Sequence, residues 1–184
     1  MLYIMRHGKT QWNKEQKLQG QIDIPLIEEG RQAAITAREK NKNLHFDVCY
    51  ASPLLRAKET AELFLEGTDT PIIYDDRLKE MSFGEYEGSL GYFDDPKNPV
   101  NVLFVRPEAY VPTGSAESLE KLSERSKSFL DEIVYPQVKE DPHKNILIVA
   151  HGALGCSLIS HIKKTPLEHF WDNLIGNCEL VRLL

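Results

Sequence analysis

Two patterns alternate along the chain: short apolar runs, and longer stretches in which apolar residues recur at helical spacing. The runs over residues 2–5, 46–51 and 146–150 have the length and apolar content of buried strands. Residues 71–74 and 179–184 predict two further strands. Because helical stretches lie between these runs, the order of elements predicts an α/β protein with a mostly parallel central sheet.

The helical stretches combine charged residues with alanine or leucine every three to four positions. Ser52 and Pro53 predict the start of one of them, with serine as the N-cap and proline as the first helical residue. That start places Arg56 at the end of the first helical turn. The other helices are predicted over residues 10–17, 28–42, 115–140 with a break near Pro136, 155–163 and 166–171.

Two segments lack a regular pattern. Residues 77–88 are predicted to form a loop. Residues 91–114 hold four prolines, so an irregular insertion at about residues 89–114 is predicted to cover one end of the sheet. The chain has no internal repeat and no low-complexity tract, and 184 residues suffice for one core. The sequence therefore predicts one domain over residues 1–184.

Histidine followed by glycine stands directly after two of the predicted strands. Arg6, His7 and Gly8 follow the first strand, and His151 and Gly152 follow the last long apolar run. The glycine allows a sharp turn into the next helix, and the carboxyl ends of strands are where open α/β sheets bind ligands. Two histidines in matching contexts, one of them beside an arginine, predict a binding site for an anion.

Charge and cysteine content restrict the class of protein. The formal net charge of −6 argues against general binding to nucleic acid or to an anionic membrane, because both need a basic surface. Cys49, Cys156 and Cys178 have no CxxC spacing and are predicted to be buried, reduced thiols. Five mostly apolar residues before Arg6 are too few for a signal peptide, and no apolar run approaches the ~18 residues of a membrane span. A cytoplasmic protein is the resulting expectation.

Several motifs together resemble those of a known family. They are Arg6-His7-Gly8-Lys9-Thr10-Gln11-Trp12-Asn13, Gln19-Gly20, Asp23-Ile24-Pro25-Leu26, Ser52-Pro53-Leu54-Leu55-Arg56-Ala57 and His151-Gly152. Over nearly its whole length the chain resembles the histidine phosphatase superfamily, the phosphoglycerate mutase-like group. The resemblance implies a three-layer α/β/α fold and chemistry through a covalent phosphohistidine. It also implies a small-molecule phosphomonoester substrate and no cofactor or metal.

The residues of these motifs suit phosphoryl transfer, which needs an in-line nucleophile, positive donors on the phosphoryl oxygens and a proton for the leaving group. An unprotonated His7 can attack phosphorus, and neighbouring arginine charge is expected to lower its pKa. Arg6 and Arg56 offer planar forks for phosphate oxygens. His151 is predicted to face His7 and to donate to the phosphoryl group as charge builds.

The proton donor follows from similarity to the family's acidic loop. By that similarity Glu80 is the general acid. Glu85 and Glu87 are expected either to lie behind the residues that touch the substrate or to be exposed. An ordinary solvated acid is the alternative for Glu80. Four further residues match positions that bind substrate in the family: Asn13, Gln19, Gly20 and Gly152. The alternative is that Asn13 is a polar residue on the side of a helix and that Gln19-Gly20 form an ordinary turn.

The acceptor of the phosphoryl group depends on the residues after Glu80. Mutases of the family have an Arg-His-Tyr run there that grips a phosphorylated acid, whereas this chain has Met81-Ser82-Phe83. The loss of those grips favours water and predicts a phosphatase, with a phosphoglycerate mutase-type phosphotransferase as the alternative. Lys9 and the segment over residues 114–118 depart from the family pattern and leave the substrate unnamed.

Two other classes remain as alternatives. A metallohydrolase could use His7, His151 and Glu80 as ligands, but the sequence lacks HxxxH and paired-cysteine spacing, and two arginines would repel the ion. A catalytically inactive phospholigand-binding module is the non-enzyme alternative. It is disfavoured because every presumed catalytic position carries a chemically competent side chain.

Overall fold

The computed structural model describes residues 1–184, and a five-stranded sheet forms its centre. The strands are β1 (Leu2–Arg6), β2 (Val48–Ala51), β3 (Ile72–Tyr74), β4 (Ile146–Ala150) and β5 (Leu180–Arg182). They lie in the order β3-β2-β4-β1-β5, and every neighbouring pair is parallel except β1 with β5. The predicted α/β class with a mostly parallel sheet is therefore confirmed.

Helices connect the strands. They are α1 (Gln11–Lys14), α2 (Glu28–Lys40), α3 (Leu55–Leu65), α4 (Asn101–Val105), α5 (Leu119–Phe129), α6 (Tyr135–Glu140) and α7 (Gly152–Lys163). Short 3-10 turns add Asp76–Leu78, Gly84–Tyr86, Pro107–Ala109 and Leu167–Asn173. One of these turns overlaps the start of the predicted loop over residues 77–88 and a second lies within it, and α4 with a third turn gives local structure to residues 91–114.

The alternation of side chains along β1 produces two apolar cores. Leu2 and Ile4 belong to the core that contains residues of α5 and α7, whereas Tyr3 and Met5 belong to the core that contains alanines of α2 and α3. Successive residues of a strand point to opposite faces of the sheet, so helices must cover both faces. The expected three-layer α/β/α arrangement is confirmed.

The start of α3 differs from the prediction at Ser52 and Pro53. The helix begins at Leu55, so the prediction of Ser52 as its N-cap is wrong. Asp23 takes that place, because its Oδ1 accepts a 2.7 Å hydrogen bond from the backbone N–H of Leu55. The Ser52 hydroxyl lies instead 2.7 Å from Nε2 of His151. Both partners come from distant parts of the chain, which local helix signals do not reveal.

Two other helix boundaries also differ. The helix predicted over residues 115–140 begins at Leu119 behind the N-cap Ser118, and a π-helical turn over Leu130–Val134 separates α5 from α6. This wider turn accommodates Pro136, whose ring would clash with the carbonyl four residues earlier in a regular helix. Helix α7 begins at Gly152 and not at residue 155, so it starts directly after β4.

The three cysteines are free thiols and buried, as predicted. Desolvation raises the pKa of Cys178 to about 11 and raises the pKa values of Cys49 and Cys156 further. These thiols therefore stay protonated and act as packing groups. None of the helices has both the length and the apolar character needed to cross a membrane.

Candidate active site

The two histidines after β1 and β4 lie side by side. The strands are paired in parallel with Arg6 opposite Ala150, so the residue after each strand emerges at the same edge of the sheet. The rings of His7 and His151 are 5.2 Å apart between centroids, and both side chains are buried. The structure thus brings together the histidine pair that the sequence places at the carboxyl ends of two strands.

The His7 ring is oriented by a backbone contact. Its Nδ1 lies 2.7 Å from the carbonyl oxygen of Gly8, which accepts the proton on that nitrogen. Nε2 consequently carries the lone pair in the neutral ring, and Nε of Arg56 lies 3.3 Å from it. Burial, followed by the charges of Arg56 and Arg6, lowers the pKa of His7 well below its ordinary value. A neutral imidazole whose Nε2 carries the lone pair, here accepting from Arg56, is the form that can act as a nucleophile.

Gly8 is required by the close packing beneath His7. A Cβ at this position would lie 2.7 Å from the carbonyl oxygen of Gly30, which is backbone and unable to move aside. The Gly8 N–H donates to the hydroxyl of Thr60 at 2.9 Å. This close approach to α2 and α3 fixes the turn that carries the His7 ring.

Arg56 is a fully buried cation. It is the second residue of α3 and not the end of the first turn, and its guanidinium donates to the carbonyls of Gly20 at 2.6 Å and Ile22 at 3.3 Å. Burial lowers the pKa of Arg56 to about 10, against the opposing effects of the Glu80 and Asp23 carboxylates. The side chain therefore remains positively charged at neutral pH beside Nε2 of His7.

Arg6 offers donors that no protein group uses. One terminal nitrogen, Nη1, donates to the carbonyl oxygen of Ile175 at 3.2 Å, whereas the buried Nε has no partner. Arg6 lines the same cavity as His7. A buried, unpaired guanidinium nitrogen is costly unless an anion binds it. The two arginines thus flank a place suited to a phosphoryl group.

Glu80 is buried at the amino end of α7. Its Oε1 accepts from the backbone N–H groups of Met81 at 2.8 Å and Leu154 at 3.0 Å, and its Oε2 accepts from that of Ala153 at 3.1 Å. A Cβ on Gly152 would lie 3.5 Å from this Oε2 and 3.6 Å from a terminal nitrogen of Arg6. The glycine therefore leaves the space between Glu80 and Arg6 open. The structure therefore places Glu80 in the site and not in a solvated loop.

Asn13 and Gln19 line the cavity, and both contact Thr10. The hydroxyl of Thr10 caps α1 and donates to Oε1 of Gln19 at 2.8 Å, while Oδ1 of Asn13 accepts from the backbone N–H of Thr10 at 3.0 Å. The amide nitrogen of Gln19 is buried without a partner. Because Thr10 holds the Gln19 amide through its oxygen, the amide nitrogen keeps a fixed position and can donate to a substrate oxygen.

Gly20 lies outside the cavity wall and contacts Arg56 through its carbonyl oxygen. A Cβ here would lie 2.2 Å from Oε1 of Glu87 and 2.8 Å from the carbonyl oxygen of Met81, so a larger residue would displace both. The resemblance implies that Gly20 binds substrate, and this role stays a prediction. In the structure, its carbonyl oxygen holds Arg56.

The Glu87 carboxylate ties down the segment that carries these carbonyls. It accepts from the backbone N–H groups of Gln21 at 2.9 Å and Ile22 at 2.7 Å, and from that of Phe83 at 3.1 Å. The sequence does not indicate this role of Glu87. The one local sign of it is that residue 20, which Glu87 approaches closely, is a glycine. Glu85 lies elsewhere, near the left-handed Gly114.

Arg125 is a second supporting residue that the sequence did not reveal. Its guanidinium donates to the carbonyls of Arg77 at 2.7 Å, Lys79 at 2.6 Å and Glu80 at 3.1 Å, and it pairs with Glu117 at 2.7 Å. These bonds fix the backbone that presents Glu80. Glu117, the acidic residue in the segment over residues 114–118, is the one sign in the sequence of an ion pair here. Nothing in the local sequence identifies Arg125 as its partner.

An aromatic wall lines part of the cavity that contains His7, and this cavity opens to solvent with about 510 Å³ of empty space. We use this name for five side chains that line it: Phe83, Tyr92, Phe93, Phe104 and Trp171. Neighbouring rings in this set are 4.4 to 4.9 Å apart between centroids from Tyr92 through Phe93 and Phe104 to Trp171. Lys9 lies outside the cavity and pairs with Glu29 at the surface at 2.6 Å.

A family model described as the histidine phosphatase superfamily, branch 1, matches residues 2–184. The chain belongs to this superfamily. It is 34% identical over 175 residues to the uncharacterized phosphatase PhoE of Bacillus subtilis, covering 95% of this chain and 83% of PhoE. It is also 33% identical over 186 residues to a protein named probable phosphoglycerate mutase GpmB of Cronobacter sakazakii, covering 99% and 83%.

A solved structure of Bacillus stearothermophilus YhfR superposes on this histidine phosphatase with a TM-score of 0.86 at 31% identity, covering 97% of this chain and 88% of YhfR. The relatives carry names of both phosphatases and mutases. The chain is therefore an enzyme of the histidine phosphatase family, and the residues after Glu80 become the informative difference. Met81 is fully buried, and Phe83 belongs to the aromatic wall.

Proposed function

We propose that the chain hydrolyses phosphomonoesters of small metabolites through a phosphohistidine at Nε2 of His7. The observation that carries this proposal is the pairing of Nδ1 with the Gly8 carbonyl, which leaves Nε2 unprotonated, with its lone pair accepting from Nε of Arg56. Arg6, with its unpaired Nε, and Arg56 supply the positive charge that the equatorial phosphoryl oxygens need. In this proposal residues 1–184 act as one domain, with residues 89–114 covering the site.

The reaction divides into two displacements. In the first, the Nε2 lone pair of His7 forms a bond to phosphorus while the ester P–O bond breaks, and Glu80 gives its proton to the departing oxygen. In the second, water attacks phosphorus and gives a proton to the Glu80 carboxylate, and the N–P bond breaks. Inorganic phosphate leaves and neutral His7 is restored. His151 donates to the phosphoryl oxygens in both steps.

Water is the acceptor that the cavity favours over a second organic acid. A mutase must retain its partly processed substrate by gripping the carboxylate. Besides the groups assigned to the phosphoryl site, Lys17 is the one cation on the cavity wall, and Met81 and Phe83 stand where the family's mutases have arginine and tyrosine. With so few groups to bind the carboxylate of a phosphorylated acid, the enzyme releases the alcohol and transfers the phosphoryl group to water.

Product analysis tests this proposal. The enzyme is given p-nitrophenyl phosphate and a panel of phosphorylated metabolites with a chelator present, and free phosphate is measured. We expect turnover that His7→Ala abolishes and Asp172→Ala, a surface substitution, leaves unchanged. Turnover that needs added metal would support the metallohydrolase alternative. Phosphate binding without any turnover would support the inactive module, and interconversion of phosphoglycerates without release of phosphate would support the mutase.

A further inference from the structure

The composition of the cavity wall restricts the alcohol part of the substrate. The aromatic wall and Leu18 supply apolar lining, and the ionisable lining residues are Arg6, His7, Glu80 and Lys17. The first three belong to the phosphoryl site. Lys17 already pairs with Glu15 at 2.7 Å, with about a third of each side chain exposed to solvent. Solvent and its own partner weaken the attraction of Lys17 for a substrate carboxylate.

We propose that the preferred substrates are phosphomonoesters of a flat, apolar alcohol such as an aryl or other ring-bearing group. This proposal rests on the phosphatase function proposed above. A ring gains apolar contact and favourable edge or stacking geometry against Phe93, Phe104 and Trp171. The ammonium and carboxylate of an amino-acid ester would lose water against these rings, which offer neither group an ionic partner.

A substrate series measures this preference. Phenyl phosphate and 1-naphthyl phosphate differ by one ring, and phosphoserine is the charged comparison. We expect kcat/KM for 1-naphthyl phosphate to exceed that for phenyl phosphate about tenfold, since a second ring buries more apolar surface, and phosphoserine to be poorer than both. Equal values for the two aryl esters, or a preference for phosphoserine, would overturn the proposal while leaving the phosphatase function intact.

Two matched variants locate the preference on the wall. Phe93 and Leu90 belong to the same segment and are 52% and 60% exposed, but Leu90 does not line the cavity. Phe93→Ser is expected to bring the naphthyl-to-phenyl ratio toward one, whereas Leu90→Ser keeps the wild-type ratio. An unchanged ratio in Phe93→Ser would contradict a role for the wall. Calorimetry with naphthylmethyl and benzyl phosphonates measures the same preference as a difference in affinity, and it needs no turnover. Absence of turnover on every ester would overturn the phosphatase function alone.

An independent observation concerns the buried pair of Ser52 and His151. The Ser52 hydroxyl has two neighbours within hydrogen-bonding distance, Nε2 of His151 at 2.7 Å and the backbone N–H of Leu54 at 3.3 Å. The Leu54 N–H can only donate. Nε2 is therefore the sole acceptor for the Ser52 hydroxyl hydrogen, and it must present its lone pair to Ser52.

This contact selects one tautomer of the neutral His151 ring. Burial, followed by the charge of Arg56, lowers the pKa of His151 well below its ordinary value, so the ring is neutral in the resting enzyme. With its lone pair on Nε2, the ring carries its proton on Nδ1. That nitrogen is buried and has no protein partner. A donor without a protein acceptor therefore lies in the ring whose centroid is 5.2 Å from that of His7.

We infer that Ser52 is a positioning residue that keeps the His151 proton on Nδ1, where it can be donated to the phosphoryl group. The opposite tautomer would present a lone pair to an anion and oppose its binding. The effect of Ser52 on the reaction is therefore exerted through His151. This role explains a buried serine at a position where the helix that follows does not use it as a cap.

Imidazole nitrogen NMR tests the inference directly, because the two neutral tautomers give different nitrogen shifts. In the wild-type enzyme we expect His151 as the Nδ1–H tautomer, and in Ser52→Ala a mixture. A wild-type spectrum with the proton on Nε2 would overturn the inference, and this measurement does not depend on the variant folding.

Kinetics separates positioning from packing. Ser52→Ala is expected to lower kcat about tenfold or more with a smaller change in KM, and Ser52→Thr to restore most of it. Ser157→Ala is the control, because Ser157 is also buried and pairs with Ser126 at 2.7 Å away from the cavity. Equal losses of kcat in Ser52→Ala and Ser157→Ala would assign Ser52 to packing.

Discussion

At the scale of single residues, the two arginines have different tasks because their donors are committed differently. Arg56 bonds the carbonyls of Gly20 and Ile22 and lies against Nε2 of His7, whereas Nε of Arg6 is unpaired. In the proposed mechanism Arg56 therefore aligns the nucleophile and the phosphoryl group together, and the unpaired Nε of Arg6 is left to bind the substrate. Arg6 and His7 could be predicted from the local strand-histidine-glycine pattern, whereas Arg56 was expected from the resemblance of residues 52–57 to the family motif.

Arg56→Lys keeps the charge and removes the planar fork. A lysine nitrogen cannot hold the Gly20 carbonyl and reach Nε2 of His7 in the same geometry. We expect kcat to fall on the order of 10²-fold or more. Steady-state kinetics with p-nitrophenyl phosphate measures the change, and Arg38→Lys, at a surface ion pair with Glu66, is the control. A wild-type rate in Arg56→Lys would show that the fork is dispensable.

Glu80→Gln removes the proposed proton donor but preserves the size of the side chain. Substrates with poor leaving groups need that proton more than p-nitrophenyl phosphate does. We therefore expect alkyl phosphates to be slowed more than p-nitrophenyl phosphate, with a flatter alkaline limb of the pH–rate profile. Equal slowing of both substrate types would assign to Glu80 the positioning of substrate and not the donation of a proton.

At the scale of elements, the strands and most helices follow from periodicity, because their apolar faces are read along the chain. Helix starts that depend on distant partners do not. The cap of α3 comes from Asp23, and Ser52 is taken up by His151. Glu87 and Arg125 support the site through backbone groups from other segments, so no spacing in the sequence indicates them. Resemblance supplied Glu80, which local pattern alone left open.

Glu87→Ala tests whether the segment over residues 20–22 positions Arg56. The substitution leaves the N–H groups of Gln21, Ile22 and Phe83 without their carboxylate acceptor. We expect kcat to fall about tenfold, since a shifted carbonyl at residue 20 misdirects the guanidinium. Glu108→Ala, at an exposed position, is the control. An unchanged kcat in Glu87→Ala would show that the segment holds its position without this carboxylate.

At the scale of the whole molecule, the site imposes a dependence of stability on pH. His7 and His151 have pKa values well below the ordinary value in the folded protein, and they regain about 6.5 when unfolded. Below that pH the unfolded chain binds protons that the folded chain does not. The contribution of these two histidines to the free energy of unfolding therefore falls as the pH drops below about 6.5, until their folded-state pKa values are reached.

Urea unfolding at pH 7.5, 6.5 and 5.5 measures this dependence. Each buried neutral histidine contributes a slope of at most roughly 1.4 kcal/mol per pH unit in this window. We expect His7→Gln to reduce the slope and His143→Gln, at an exposed position, to leave it as in the wild type. A slope that is the same in all three proteins would mean that His7 is protonated equally in the folded and unfolded states.

The most direct measurement is the identification of a phosphorylated residue during turnover. The enzyme is mixed with ³²P-labelled substrate for milliseconds and quenched at alkaline pH, because phosphohistidine is labile in acid, and the labelled peptide is sequenced by mass spectrometry. We predict that label appears on His7, decays as inorganic phosphate is released, and is absent in His7→Ala. Full turnover without label on His7, or label on another residue, would contradict the proposed mechanism.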